Sequence, residues 1–169
     1  RRQRQMCIRD RTIVEQNSNV EVVYPVHLSP VVQDCAHRLL GDHPRIHLIA
    51  PLDVAQMHNL MARSYLVLTD SGGLQEEAPA LGKPVLVLRR ETERPEAIAA
   101  GTAKLAGVET DRIVSLTQEL LQGGEAYARM AHAVNPYGDG KACERIANAI
   151  EGYFGVQTKS CGGLCRGRH

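Results

Sequence analysis

The sequence has no tryptophan and one phenylalanine, and aromatic residues make up only 4 % of it. Its core must therefore be aliphatic, built from Val, Leu, Ile, Ala and Met. No apolar run approaches the length of a membrane span, and no secretory apolar segment follows the basic start. These absences exclude a membrane partner and point to a cytoplasmic location. The five cysteines, at 7, 35, 143, 161 and 165, are odd in number and unevenly spaced, which does not make a disulfide framework and fits a reducing compartment. Cys35 and Cys143 fall on predicted helices and read as small buried residues. Cys161, Cys165 and His169 have ligand-like spacing but no fourth ligand, so no metal site is expected. Neither a Walker motif nor a dinucleotide fingerprint is present, and there is no internal repeat.

What is present is an ordinary hydrophobic fraction, 43 % over 169 residues, enough for one domain with a sizeable core. The net charge is +1, but five arginines lie within residues 1–11 and Lys159, Arg166 and Arg168 lie within residues 156–169. The body between these ends is acidic, which argues against nucleic acid as a partner of the folded part. The basic ends offer charge for nucleic acid or acidic lipid, but read more simply as solvated or foreign tails.

Short β-branched runs alternate with helical patterns of about ten residues. "VEVVYPVHL" (20–28) reads as a strand, with Pro25 marking an edge or exit position. Ser29-Pro30 then opens a helix to Gly41, with Val31, Val32, Cys35, Leu39 and Leu40 at helical spacing. "RIHLIAP" (45–51) is a second strand, and Asp53 caps a helix that carries Val54, Met57, Leu60 and Met61 on one face. "YLVLTDS" (65–71) is nearly all apolar, as for a strand buried on both sides of a parallel sheet. A helix from Gly73 stops at Gly82. "KPVLVLR" (83–89), a short helix from Pro95 to Gly101, "TAKLAG" (102–107) and three helices near 111–122, 125–133 and 140–153 follow, with "NPYGDG" (135–140) as a tight turn. The pattern predicts an α/β fold, a Rossmann-like doubly wound parallel sheet. Ligands of such sheets bind beyond the carboxyl ends of the strands, here His27, Pro51–Asp53, Asp70–Gly73 and Arg89–Arg94.

At the third of these ends, Ser71-Gly72-Gly73 joins a buried strand to a helix. The first N–H groups of that helix lack intrahelical partners and carry partial positive charge, so the turn suits a phosphate. It equally suits a plain strand–helix turn with Ser71 as N-cap. Glu76 and Glu77 both favour a helix N-terminus by charge alone. They point about 100° apart, and Glu77 stands roughly 9 Å along from Ser71, a reach that allows it to accept both hydroxyls of a ribose whose phosphates sit on the turn. Glu76 then faces solvent or pairs with a base. Arg94 could neutralise a diphosphate or pair with Glu91 or Glu93. His27 could donate to a phosphate oxygen, act as an acid, or be structural. His37, His43, His47 and His58 follow no ligand spacing and read as surface or structural.

Five segments together, "YPVHLSP" (24–30), "TDSGGLQEEAPALGKPVLVLR" (69–89), "TERPEA" (92–97), "AGT" (100–102) and "NPYGDGKA" (135–142), resemble the non-hydrolysing UDP-N-acetylglucosamine 2-epimerases. The resemblance covers residues 12–155. It implies one half of a two-domain glycosyltransferase-B-type fold, here a C-terminal UDP-binding domain whose last helix reaches back toward the other domain. It implies interconversion of UDP-GlcNAc and UDP-ManNAc by elimination of UDP and its re-addition, with no metal or nicotinamide cofactor, and a homodimer in the full-length enzyme. By position, Ser71, Gly72 and Gly73 match the family's phosphate-binding turn and Glu77 its ribose ligand. Arg94 and His27 match residues near the diphosphate, and His27 is taken as the catalytic candidate. Met57 lies where some members place an aromatic beside uracil, and Leu52 where some carry Gln. The family's catalytic acids belong to an N-terminal domain that this chain does not contain, so an isolated chain is expected to be inactive. Residues 1–11 and 156–169 do not resemble the family and are expected to lie outside the domain, 1–11 as disordered or foreign sequence and 156–169 as a tail.

Two other functions share these features. One is a non-catalytic UDP-sugar-binding module; the other is a hydrolysing epimerase that releases UDP and free ManNAc. A glycosyltransferase fits the 69–86 string less well.

Overall fold

The computed structural model describes residues 2–155, and these fall into two units, up to Pro136 and from Tyr137 on. In the first, helix α1 (Arg2–Gln16) precedes a regular β-α alternation: β1 (Val22–Pro25), α2 (Pro30–Leu40), β2 (Ile46–Ile49), α3 (Val54–Arg63), β3 (Val67–Thr69), α4 (Gly72–Ala80), β4 (Val85–Val87), α5 (Pro95–Ala100), β5 (Ala103–Leu105), α6 (Thr110–Leu121) and α7 (Gly124–Ala131). All strand pairs are parallel. The fold is the expected Rossmann-like α/β. The strands are hydrogen-bonded as two sheets, β1-β2 and β3-β4-β5, rather than as one ladder.

The sequence dictates these elements locally. Val85, Leu86 and Val87 are fully buried, because β4 pairs on both edges and is covered on both faces; each such side chain contributes about 1.5–3 kcal/mol on burial. Pro25 ends a strand whose described pairing is to β2 alone, where its missing N–H costs no ladder bond. Asp53 caps α3 through a reciprocal box: the Gln56 N–H donates to its carboxylate at 2.8 Å, and its own N–H donates to Gln56 Oε1 at 3.2 Å. After α4, Gly82 adopts φ +67, and the Lys83 N–H donates to the Ala78 carbonyl at 3.1 Å. That left-handed stop is the one glycine allows most easily.

Aliphatic clusters among the described residues form the core. One gathers Cys7, Val14, Val26, Cys35, Ala36, Leu40 and Ile46 around β1 and β2. Another gathers Leu86, Leu88, Ala106, Ile113 and Leu120 beneath α6 and α7. Tyr65 and Tyr127 stack beside the second, with ring centroids 4.2 Å apart. The Tyr65 hydroxyl donates to the Leu120 carbonyl at 3.2 Å.

The fold departs from the sequence reading at several places. Residues 2–11, expected outside the domain, lie in α1, which packs on α2 and α6. Cys7 is buried there, as is an ion pair between Arg9 and Asp10 at 2.5 Å. Burial pushes the Asp10 carboxyl up, with Arg9 opposing. Val31 and Val54, expected on buried faces, are more than two-thirds exposed. Both sit in the first turn of their helices, beyond the carboxyl ends of β1 and β2, and Leu28 is exposed in the same region.

The second unit holds helix α8 (Ala142–Phe154). Its turn is fastened by Arg145, which donates to both Asp139 oxygens at 2.8 and 2.7 Å and holds that carboxyl below its usual range. Cys143, expected to be buried, is exposed, since a single helix has no second layer of its own to cover it. Cys161, Cys165, His169 and the 156–169 tail lie outside the described residues. No described helix is long and apolar enough to cross a membrane.

Candidate functional site

The site grows from the junction of β3 and α4. Thr69, the last residue of β3, is buried, and its hydroxyl accepts the Ser71 N–H at 3.0 Å. Ser71 stands at the N-cap in extended conformation, yet its side chain makes no capping hydrogen bond. Ser71 thus occupies the N-cap position but does not cap through its side chain. Gly72 and Gly73 form the first turn of α4, so their amides belong to the group without intrahelical acceptors.

Gly72 is where two chain segments crowd. A Cβ built there would lie 2.8 Å from Glu93 Oε1 and 3.9 Å from an Arg94 terminal nitrogen. The Glu93 carboxylate and the Arg94 guanidinium thus both reach the mouth of α4. Arg89 holds Glu93 from the other side at 2.7 Å. A hydrogen bond from its own backbone holds the Glu93 carboxyl below the usual range; desolvation opposes it, and Arg89 and then Arg94 add to the lowering.

Arg94 joins its own loop to α4. Its Nε donates to Glu76 Oε1, and one terminal nitrogen donates to the Glu93 carbonyl at 3.2 Å. Glu76 is thereby the carboxylate that pairs with a base. Both side chains are about one-third exposed.

Glu77 points differently, as the helical rotation requires. Its Oε1 lies 3.4 Å from where a Cβ on Gly73 would stand, and its Oε2 lies 3.0 Å from His58 Nε2 on α3. The carboxylate is folded back along α4 toward the turn. His58 was missed by the sequence reading. It stands 19 positions from Glu77, and no local spacing announces a bond between two helices.

A buried connector ties the two loops together. Gln75 is fully buried; its Nε2 donates to the Ser71 carbonyl at 3.2 Å and its Oε1 accepts the Thr92 hydroxyl at 2.6 Å. Thr92 Oγ1 in turn accepts the Arg94 N–H at 3.0 Å. Nothing in the local pattern announces this relay, because a glutamine in an amphipathic helix reads as a surface residue.

The structure therefore brings Ser71, Gly72, Gly73, Glu77 and Arg94 to one corner. Met57 precedes His58 on α3, and Leu52 precedes the Asp53 cap; both are half-buried. His27 lies beyond β1, exposed, with its Nδ1 accepting the Ser29 N–H at 3.1 Å. In the neutral ring this leaves the proton on Nε2. Among the described residues no hydrogen bond joins His27 to the α4 turn. No three His, Cys, Asp or Glu side chains gather there as a metal site among the described residues. The corner offers amides and a guanidinium for an anion and, a few ångströms along, a carboxylate for hydroxyl groups.

Comparison with known proteins places this geometry in context. A family model described as UDP-N-acetylglucosamine 2-epimerase matches residues 2–151, and so includes the whole of α1. The UDP-N-acetylglucosamine 2-epimerase of Bacillus subtilis is 54 % identical over 149 residues, covering 88 % of this chain and 39 % of that protein. The structure of S. aureus MnaA with UDP superposes with a TM-score of 0.87 at 43 % identity, covering 96 % of this chain and 45 % of that one. The UDP-GlcNAc 2-epimerase of Neisseria meningitidis, solved bound to UDP-GlcNAc, gives 0.83 at 42 % identity, covering 88 % and 40 %. The chain spans 39–45 % of the length of these relatives.

Proposed function

Because this chain belongs to the UDP-N-acetylglucosamine 2-epimerase family, we propose that it binds the UDP portion of UDP-GlcNAc and UDP-ManNAc at the β3–α4 turn and supplies the nucleotide-binding half of an epimerase. The observation that carries this reading is the convergence of the Gly72 amide, the Arg94 guanidinium and the Glu77 carboxylate on one end of α4. A nucleoside diphosphate presents that same order of charge and hydroxyl groups.

In this reading the amides of Gly72 and Gly73 and the Ser71 hydroxyl hold phosphate oxygens, and Arg94 offsets the diphosphate charge. Glu77 accepts the ribose hydroxyls. Met57 and Leu52 flank the base, with backbone groups left to read its edge. In elimination, the C1–O bond breaks and its electron pair leaves on UDP, while the C2 proton passes to a base. Negative charge grows on the leaving diphosphate, and preorganised donors around it stabilise that change. His27, with its proton on Nε2, is suited to donate to the leaving phosphate. The base at C2 is not among the residues of this corner and belongs to the family's other domain. In this proposal the complete enzyme is a cytoplasmic homodimer.

Calorimetric titration with UDP tests the reading. Saturable binding that Arg94→Ala weakens about tenfold, the loss of one charge-assisted contact, is the expected result. Absence of heat would count against it. The isolated chain should not convert UDP-GlcNAc to UDP-ManNAc, because proton transfer needs a base within hydrogen-bond reach. Conversion by the chain alone would show that the acid–base groups lie within it. Release of free ManNAc by a completed enzyme would favour the hydrolysing alternative.

A further inference from the structure

We propose that His58 is a positioning residue that fixes Glu77 for a ribose diol and makes the site selective for ribonucleoside over 2′-deoxyribonucleoside diphosphates. The proposal rests on the UDP reading of the α4 corner and adds to it a residue on another helix and a specificity.

The geometry begins at α3. Its register is locked by the Asp53–Gln56 capping box, so His58, five residues from Asp53, is carried at a fixed height on the helix. From there His58 Nε2 meets Glu77 Oε2 at 3.0 Å. The other oxygen, Oε1, lies over the Gly73 position. A glutamate on an exposed helix face otherwise samples several rotamers, and ordering it on ligand binding costs side-chain entropy. Here one oxygen is already held by the imidazole and the other is left facing the turn. Such preorganisation improves affinity by reducing what must be ordered in the complex.

The pair has little value as a stabilising contact. His58 and Glu77 are 46 % and 43 % exposed, and exposed ion pairs contribute little to folding. Its consequence lies in direction. Two adjacent hydroxyls can both donate to a carboxylate held in the right plane, whereas a 2′-deoxyribose offers one. Loss of His58 leaves the charge of Glu77 in place but releases its orientation, so the loss falls on the two-hydroxyl contact.

The test is calorimetric titration of the whole chain, and of His58→Ala and His58→Gln, with UDP and 2′-deoxy-UDP, with urea unfolding to verify that each variant is folded. Wild type is expected to prefer UDP by about tenfold, the value of one good hydrogen bond to a charged group. His58→Ala should weaken UDP about three- to tenfold and 2′-deoxy-UDP less than about twofold, while His58→Gln, which keeps a donor, recovers most of the preference. Equal losses for both ligands would assign His58 a merely structural role and overturn the proposal. So would an unchanged preference in His58→Ala, or no preference in wild type. Wild type binding neither ligand would overturn the UDP reading itself, which these other outcomes leave standing.

Discussion

The Thr92 hydroxyl donates to Gln75 Oε1 at 2.6 Å, and through that bond the loop carrying Arg94 is tied to the turn carrying Ser71. Gln75 is fully buried, so each of its polar atoms depends on a protein partner. Its amide end takes the Ser71 carbonyl and its carbonyl end takes Thr92. Thr92→Val removes the hydroxyl at nearly constant shape and leaves Gln75 Oε1 without that donor. It is expected to destabilise the fold by about 1–3 kcal/mol, read as a lower urea midpoint at unchanged slope. UDP affinity should fall with it, because Arg94 loses its backbone anchor. A variant with wild-type stability and affinity would show that the two loops are positioned by other means.

Gly72 separates folding from binding. It has ordinary helical backbone, as it is absent from the glycines with positive φ. Gly72→Ala should therefore change stability by no more than about 1 kcal/mol, in the favourable direction if Glu93 swings away. The added methyl would stand 2.8 Å from the Glu93 carboxylate and beside Arg94, in the space assigned to a phosphate. UDP affinity should drop by at least about tenfold. Calorimetry beside a denaturation curve checks both halves, and undiminished UDP binding would remove the phosphate from this corner.

Cys7 tests the place of α1. Burial, followed by the neighbouring Cys35 and Asp10, pushes its thiol from 9.0 up to about 12. Between those values the unfolded chain gives up the thiol proton and the folded chain keeps it, so stability falls as pH rises above 9. The fall between pH 8 and pH 10 should be smaller in Cys7→Ala than in wild type. Alkylation at pH 8, followed by peptide mass spectrometry, should label exposed Cys143 well before Cys7. Rapid labelling of Cys7 in the native chain would detach α1 from the core described above.

Much of this was readable in advance. The apolar, β-branched runs announced the first four strands, and Asp53, Gly82 and Gly101 marked helix ends that the structure uses as caps or stops. The Ser71-Gly72-Gly73 turn was readable because strand end, glycine pair and helix start are contiguous. The helix α1 was not, since its arginine-rich start masks the few apolar residues, Cys7, Ile13 and Val14, that it buries. Nor was the bond from Arg94 to Glu76, because the turn of α4 brings that carboxylate to the guanidinium across 18 positions. The Gln75–Thr92 and His58–Glu77 contacts failed to show for the same reason. Each joins separate elements through side-chain direction, which periodicity along one element does not encode.

The most direct measurement of the central claim is an amide NMR titration of the chain with UDP. The Ser71, Gly72 and Gly73 resonances should shift together and saturably, with the Arg94 side-chain signals moving over the same concentration range. Shifts confined to other residues, or a spectrum unchanged at saturating UDP, would contradict the account.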